Sequence, residues 1–354
     1  MTFDEEMMER CITLARNGTG YVSPNPLVGC VIVKDGKIIS EGFHHTYGEA
    51  HAERDAIEKG KAKNADLEGA TLYVNLEPCS HIGKTGPCAD LIIRNKIAKV
   101  IIGIKDPYEK VNGNGISKLL ENNIKVEIGI LDEKCTELNK FFIKYVTKGL
   151  PFVTLKVAQS IDGKIALNNF ESKWISGASS RKYVRELRDS HDSVLIGYNT
   201  ALKDDPSLTT DLEEGRTPYR LIIDDMLALP DELKIFNDED RDKTIVFTKT
   251  LKKHSKVQTI NLKGDSDLTD VLKVLHDSGI NSVLVEGGTG VFSDFIKQDL
   301  ADELLVFIAP KIIGSGKTMS DHLQIDSLTQ AKKLRLKNTL QFDEDILLNY
   351  KFIR

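Results

Sequence analysis

Apolar residues recur along this chain in two alternating rhythms, one of about 3.6 residues and one of about 2. Met7, Met8, Cys11, Ile12 and Leu14 follow Thr2-x-x-Glu5 at helical spacing, and the Thr/Glu pair reads as a capping box. Asn17-Gly18 supplies the stop. Leu27 to Val33 reads as a strand, Asp35-Gly36 as a hairpin turn and Lys37 to Gly42 as the return strand. A helix is predicted over Ala50 to Lys63, a strand over Thr71 to Leu76, a helix from Cys88 to Asn95, a strand over Lys99 to Ile104 and one closing helix over Leu131 to Lys148. Such alternation predicts a layered α/β domain.

Gly149-Leu150-Pro151 marks a boundary. A helix ends at the glycine, the proline cannot continue it, and a fresh strand, Phe152 to Ala158, begins. The chain therefore divides into residues 1–148 and 149–354. The second part alternates again, with strands at Ser193–Ile196, Arg220–Ile223, Thr244–Thr248, Ser282–Val285 and Asp302–Ala309. Helices are predicted at Arg181–Ser190, Leu268–Ser278 and Val291–Gln298, and Leu334 to Ile353 reads as a hairpin. No repeat relates the two parts.

Composition narrows the class. The 354 residues, 40% hydrophobic and 29% charged, fit two soluble globular domains. No apolar run reaches the ~20 residues that span a membrane. The acidic start, Met1-Thr2-Phe3-Asp4-Glu5-Glu6, lacks the basic and apolar regions of a signal peptide, so a cytoplasmic location is expected. Five cysteines without disulfide-like spacing suit a reducing compartment. A net charge of −5 gives no footprint for nucleic acid and favours a small-molecule substrate.

The candidate chemistry lies between His51 and Cys88. One imidazole and two thiols, His51, Cys79 and Cys88, suit Zn²⁺ and leave a fourth tetrahedral position for water. Glu53 is placed to carry that water's protons, an arrangement like the H-x-E…P-C-x-x-C of zinc nucleobase deaminases. Here eight residues, not two, separate the cysteines. A structural zinc site, with His44, His45 or His81 as fourth ligand, is the alternative. Asn25, between two prolines, offers an amide to a heterocycle or simply shapes a turn. In the second part, Glu286-Gly287-Gly288-Thr289-Gly290 between strand and helix either presents backbone N–H groups to a phosphate or punctuates the chain.

Four segments in the first part carry a specific resemblance: Ser23-Pro24-Asn25-Pro26, Gly42-x-His44, His51-Ala52-Glu53, and Pro78-Cys79-Ser80-His81-x-Gly83-Lys84-Thr85-x-Pro87-Cys88. So do Lys156-x-Ala158-x-Ser160-x-Asp162-Gly163-Lys164, Trp174-Ile175-Ser176, Gly197-x-Asn199-Thr200, Asp204-Asp205-Pro206-x-Leu208-Thr209 and Glu286-x-Gly288 in the second. Together they resemble the bifunctional pyrimidine deaminase–reductases of riboflavin biosynthesis. The resemblance implies a cytidine-deaminase-like α/β/α domain followed by a dihydrofolate-reductase-like α/β domain, with zinc and NADPH as cofactors and a phosphorylated pyrimidine as substrate. It implies substrate contacts from Asn25, His44 and Lys84 in the first domain and from Ser172, Arg188, Leu208 and Glu286 in the second. Lys156 would sit near the reacting carbon. Ala158, Trp174, Thr200 and Asp204 would line the NADPH site, and Gly288, Thr289, Gly290, Val291, Phe292, Ser293 and Asp294 would hold its phosphate region. A homo-oligomer is expected.

One departure stands out. Members of this family commonly carry an arginine, expected to help bind the substrate phosphate, where this chain has Asp211. Either substrate binding weakens or Arg216 folds back to replace it. The rival readings are a nucleic-acid base deaminase, a deaminase with a silent C-terminal half, and a zinc-stapled structural protein.

Overall fold

The structure is a computed structural model that describes residues 1–80, 86–109, 111–213 and 215–354. The chain forms two compact units, Met1–Gly149 and Leu150–Arg354.

In the first unit, α1 (Phe3–Arg16) opens on a reciprocal Thr2/Glu5 capping box. It leads to β1 (Gly29–Lys34) and β2 (Lys37–Phe43), joined by a turn in which Asp35 and Gly36 both have positive φ, as a tight hairpin demands. Then come α2 (Ala52–Ala62), β3 (Thr71–Leu76), α3 (Cys88–Arg94), β4 (Lys99–Ile104), α4 (Asn114–Glu121), β5 (Lys125–Ile128), α5 (Asp132–Leu138) and α6 (Lys140–Lys148). The sheet order is β2-β1-β3-β4-β5, antiparallel on both sides of β1 and parallel from β3 to β5. Residue parity sorts the core into two layers. Cys30, Ile32, Leu72, Val74, Val100 and Ile102 pack with Ala56, Ile57, Ile92 and Leu119 of α2, α3 and α4. Val31, Val33, Tyr73 and Ile101 pack with Met8, Cys11 and Ile12 of α1 and Cys135 of α5. This is the expected α/β/α sandwich.

The sequence pattern misplaces two things here. The closing helix is two helices, broken at Asn139. The Asn139 side chain turns to the backbone of Leu27, accepting from its N–H at 2.8 Å and donating to its C=O at 3.0 Å. The pair α4–β5, which no pattern announced, fills the far end of the sheet.

The second unit begins with β6 (Phe152–Ser160), after Gly149 caps α6 with φ 64°. It continues through β7 (Ala166–Leu167), α7 (Ala178–Ser190), β8 (Ser193–Gly197), α8 (Tyr198–Asp204), β9 (Tyr219–Ile223), β10 (Thr244–Thr248), β11 (Gln258–Asn261), α9 (Leu268–Asp277), β12 (Ser282–Gly287), α10 (Thr289–Lys297), β13 (Glu303–Ala309), β14 (Gly316–Lys317), β15 (Lys333–Phe342) and β16 (Asp345–Ile353). Nine strands form one sheet in the order β11-β10-β9-β8-β12-β6-β13-β16-β15. It is parallel from β11 through β13, and the C-terminal hairpin adds its antiparallel edge. Val153, Leu155, Leu195, Val283 and Val285 face α9 and α10. Val194, Ile196, Ile222 and Leu284 face the other way, onto Ala201 of α8 and Phe236. Buried on both faces, these strands read as continuous apolar runs.

Candidate active sites

In the first unit the metal-ligating residues converge from two strand-to-helix connections. His51 is the N-cap of α2, Cys88 is the first residue of α3, and Cys79 follows β3 by three positions. His51 Nδ1 lies 3.5 Å from Cys79 Sγ and 3.6 Å from Cys88 Sγ. Zinc bonds of about 2.0–2.1 Å to nitrogen and about 2.3 Å to sulfur, at a tetrahedral angle, put N and S about 3.6 Å apart, so the three donors fit the ion. The Cys79 pKa is drawn down by the hydrogen bond from Cys88 and by His51, while that of Cys88 is pushed up by its bond to Cys79 and by burial. The pair thus keeps one thiolate before any metal arrives. The N–H of Cys88, at the helix start, adds a 3.4 Å contact to Cys79 Sγ.

Glu53, in the first turn of α2, is buried. Burial, followed by the charge of Cys79, pushes its carboxyl up to about 7, where it can both take and give a proton. His44 Nδ1 is 2.9 Å from the Ala50 carbonyl and so carries the proton, which leaves Nε2 to accept from Asn25 Nδ2 at 3.1 Å. Burial lowers the His44 pKa and favours this neutral ring. Asn25 and His44 are therefore one unit with a fixed amide orientation. Lys84 lies outside the described residues.

A residue that no sequence pattern marked ties the end of β3 to the start of α4. The buried Glu77 carboxylate accepts from the N–H groups of Asp106, Gly113, Gly115 and Ile116 at 3.0–3.2 Å. Gly115 packs so tightly on the Pro78 carbonyl, next to Cys79, that no Cβ fits. The start of α4 thereby buttresses the chain next to Cys79, a candidate zinc ligand.

The second unit holds a cavity of about 810 Å³. Glu286, near the end of β12, sits at its base. Arg188 from α7 grips both Glu286 oxygens, at 2.5 and 3.0 Å, and donates to the Thr209 carbonyl at 2.9 Å. Lys156 on the neighbouring β6 is 3.2 Å from the same carboxylate. Burial pushes the Glu286 carboxyl up, but Arg188 and Lys156 outweigh it and hold the group at about 2. Ser172, Leu208, Ala158, Trp174, Thr200 and Asp204 all line this cavity. Gly288, Thr289, Gly290, Val291 and Phe292 line it too, whereas Ser293 is buried in the core and Asp294 exposed, both outside the lining. Gly288, with φ 93°, is the N-cap of α10 and makes no side-chain hydrogen bond to that helix's first N–H groups. A Cβ on Gly197 would come within 2.8 Å of Val291, and one on Gly287 within 3.0 Å of Thr200. This glycine-lined cradle fits the pyrophosphate of a dinucleotide.

Among the described residues, eight lysines and arginines but four carboxylates line the cavity, a surplus of four positive charges in a chain of net charge −5. Arg181, Arg185, Lys203 and Lys234 belong to this set and carried no sequence signal. Arg216 does not: its guanidinium donates to the His191 carbonyl at 2.8 Å and lies 3.9 Å from Asp192, so it does not take the place of the missing arginine. Asp211 does line the cavity, beside Arg185.

Residues 1–104 match the cytidine and deoxycytidylate deaminase zinc-binding region, and residues 151–348 match the RibD C-terminal domain. The riboflavin biosynthesis protein RibD of Aquifex aeolicus is 40% identical, over 98% of each chain. The chain belongs to the RibD family of riboflavin biosynthesis proteins. Among solved structures it resembles a diaminohydroxyphosphoribosylaminopyrimidine deaminase/5-amino-6-(5-phosphoribosylamino)uracil reductase from Thermotoga maritima, with a TM-score of 0.93, 42% identity and 99% of each chain covered. RibD of Acinetobacter baumannii follows with a TM-score of 0.90 and 33% identity, again over 99% of each chain. As a member of this family, the chain is a bifunctional enzyme, a zinc-dependent deaminase joined to an NADPH-dependent reductase. Among the described residues no helix is long and apolar enough to cross a membrane.

Proposed function

We propose that residues 1–148 remove the 2-amino group of 2,5-diamino-6-ribosylamino-4(3H)-pyrimidinone 5′-phosphate, and that residues 149–354 reduce the product's ribosyl group to ribityl. The observation that carries this reading is the tetrahedral spacing of His51, Cys79 and Cys88 beside buried Glu53, in one chain with a basic cavity built on Lys156, Arg188 and Glu286. The name of the Thermotoga protein supports the substrate.

In the first reaction His51, Cys79 and Cys88 would hold zinc, whose chemistry when bound would be to make water nucleophilic near neutral pH. Glu53 accepts that water's proton and delivers it to the departing amino group, so that water is consumed and ammonia released. Asn25 and His44 orient the pyrimidine, and Lys84 shares that task. In the second reaction the chemistry NADPH would supply when bound is the hydride for the ribose carbon. Lys156 supplies the proton that the ring oxygen takes up as its bond to that carbon breaks. Glu286 holds the Lys156 amine in place and fixes Arg188 for the substrate, alongside Ser172 and Leu208. Ala158, Trp174, Thr200, Asp204 and the segment from Gly288 to Asp294 are assigned to the cofactor. A cytoplasmic location and self-association complete the reading. The latter is supported by the exposed edge strand β15, with Leu336 and Leu340 on it.

A coupled assay tests the proposal by following ammonia release and NADPH oxidation separately. Glu53→Ala abolishes ammonia release while zinc stays bound, and Lys156→Ala abolishes NADPH oxidation while ammonia release continues. Full turnover by either variant overturns the role given to that residue.

A further inference from the structure

Three arginines stand one turn apart along α7, and all three line the reductase cavity: Arg181, Arg185 and Arg188. Two are already committed. Arg181 donates to the Ser176 carbonyl at 2.6 Å and lies 4.5 Å from the centre of the Trp174 ring. Arg188 spends its guanidinium on Glu286 and Thr209. Arg185 is different. Its ionic partner among the described residues is Asp211, at 3.9 Å, beyond hydrogen-bonding reach, and its side chain is 42% exposed. Asp211 in turn is held by Thr209 Oγ1 at 2.8 Å and has φ 48°, a left-handed conformation that aspartate tolerates.

The charges can be counted. Among the described residues of this wall, Lys156, Arg181, Arg185 and Arg188 against Glu286 and Asp211 leave two positive charges, four minus two. A phosphate monoester carries about −1.5 to −2 near pH 7. Among these described residues Arg185 is the cation whose fork of N–H donors has no hydrogen-bond partner, and a guanidinium fork matches phosphate oxygens two at a time.

We propose that Arg185 binds the 5′-phosphate of the reductase substrate, with Asp211 as the counter-ion that holds its guanidinium over the cavity until the phosphate displaces it. The acidic residue at 211 then tunes the site instead of abolishing it. The cation is supplied from the helix, one turn before Arg188, and the carboxylate across from it weakens phosphate binding by repulsion while keeping the arginine in place. This inference rests on the phosphorylated substrate proposed above.

The test uses the full-length enzyme loaded with zinc, NADPH, the deaminated phosphoribosyl substrate, and the same compound lacking the phosphate. Arg185→Ala raises KM for the phosphorylated substrate by about 10- to 100-fold, as the loss of charge-assisted hydrogen bonds implies. Its kcat and its KM for NADPH stay within about twofold, which also shows that the site is folded. With the unphosphorylated substrate, wild type and variant behave alike. Asp211→Asn lowers KM for the phosphorylated substrate by up to about fivefold, the range of an exposed ion pair, and this gain disappears when Arg185 is alanine. An unchanged KM in Arg185→Ala, or an equal loss with the unphosphorylated substrate, overturns the assignment. If wild type itself fails to oxidise NADPH with the deaminated substrate, the proposed function falls and takes this inference with it. Wild-type turnover beside an unaffected Arg185→Ala refutes Arg185 alone.

Discussion

Replacing Glu286 by glutamine keeps the shape of the reductase site and removes one charge, and its cost follows from the structure. The Glu286 side chain is 7% exposed and faces Arg188 and Lys156. Burial alone would raise its pKa, yet the two cations hold it at about 2 against an ordinary 4.5. A depression of about 2.5 units at about 1.36 kcal/mol each amounts to roughly 3 kcal/mol. This agrees with the ~3–5 kcal/mol expected when a buried ion cluster loses one partner. Because the folded-state pKa lies below the unfolded one, the stabilisation is complete above pH 4.5 and is lost as pH falls through about 2. About half of it remains near pH 3. The chain has one tryptophan, Trp174, in the same unit, so urea unfolding followed by its fluorescence reports on this unit. The expected gap between wild type and Glu286→Gln is about 3 kcal/mol at pH 7, narrowing to about half by pH 3, with ammonia release intact. A gap below about 0.5 kcal/mol at pH 7, or one that widens in acid, would refute the reasoning.

Glu53 carries the opposite sign. Burial holds its carboxyl at about 7, so in metal-free protein it costs stability as pH rises from 4.5 to about 7. Metal-free Glu53→Gln is therefore more stable than wild type by up to about 3 kcal/mol at pH 8 and equal to it below pH 4, read from thermal midpoints by circular dichroism. Chelating the zinc lowers the melting temperature of the first unit and stops ammonia release, while NADPH oxidation with pre-deaminated substrate continues; loss of both activities together would contradict the separation of the sites. Glu77→Ala leaves four buried N–H groups without their acceptor, so a destabilisation of at least about 2 kcal/mol is expected, with weaker zinc retention in a competition titration. Unchanged zinc affinity would remove Glu77 from the support of Cys79.

What the sequence made legible is what short-range physics decides. The Thr2 capping box, the Asp35-Gly36 turn and β3 all depend on neighbours a few residues away, and each lies where the pattern put it. The break at Asn139 was hidden because its cause is Leu27, far off in the chain. The start of α4 was hidden because it is fixed by the carboxylate of Glu77, just past the end of β3 and distant in the chain. The zinc ligands and Glu286 share a different advantage. Each site lies where a strand ends and a helix begins, at Phe43 to Ala52, Leu76 to Cys88 and Glu286 to Thr289. There the chain must leave the sheet, and exposed N–H groups at the helix start favour thiolate, carboxylate or phosphate. A motif read as strand–loop–helix therefore predicts the position of its chemistry. Charge balance has no such local signature. Arg185 and Asp211 are 26 residues apart and meet only because α7 and the loop after α8 border one cavity. Read singly, Asp211 is a defect in a phosphate site; read with the helix beside it, it is half of an ion pair whose other half is the phosphate ligand. The ligand set of a metal can thus be taken from a motif, whereas the residue that recognises a substrate's charge has to be taken from the assembled wall.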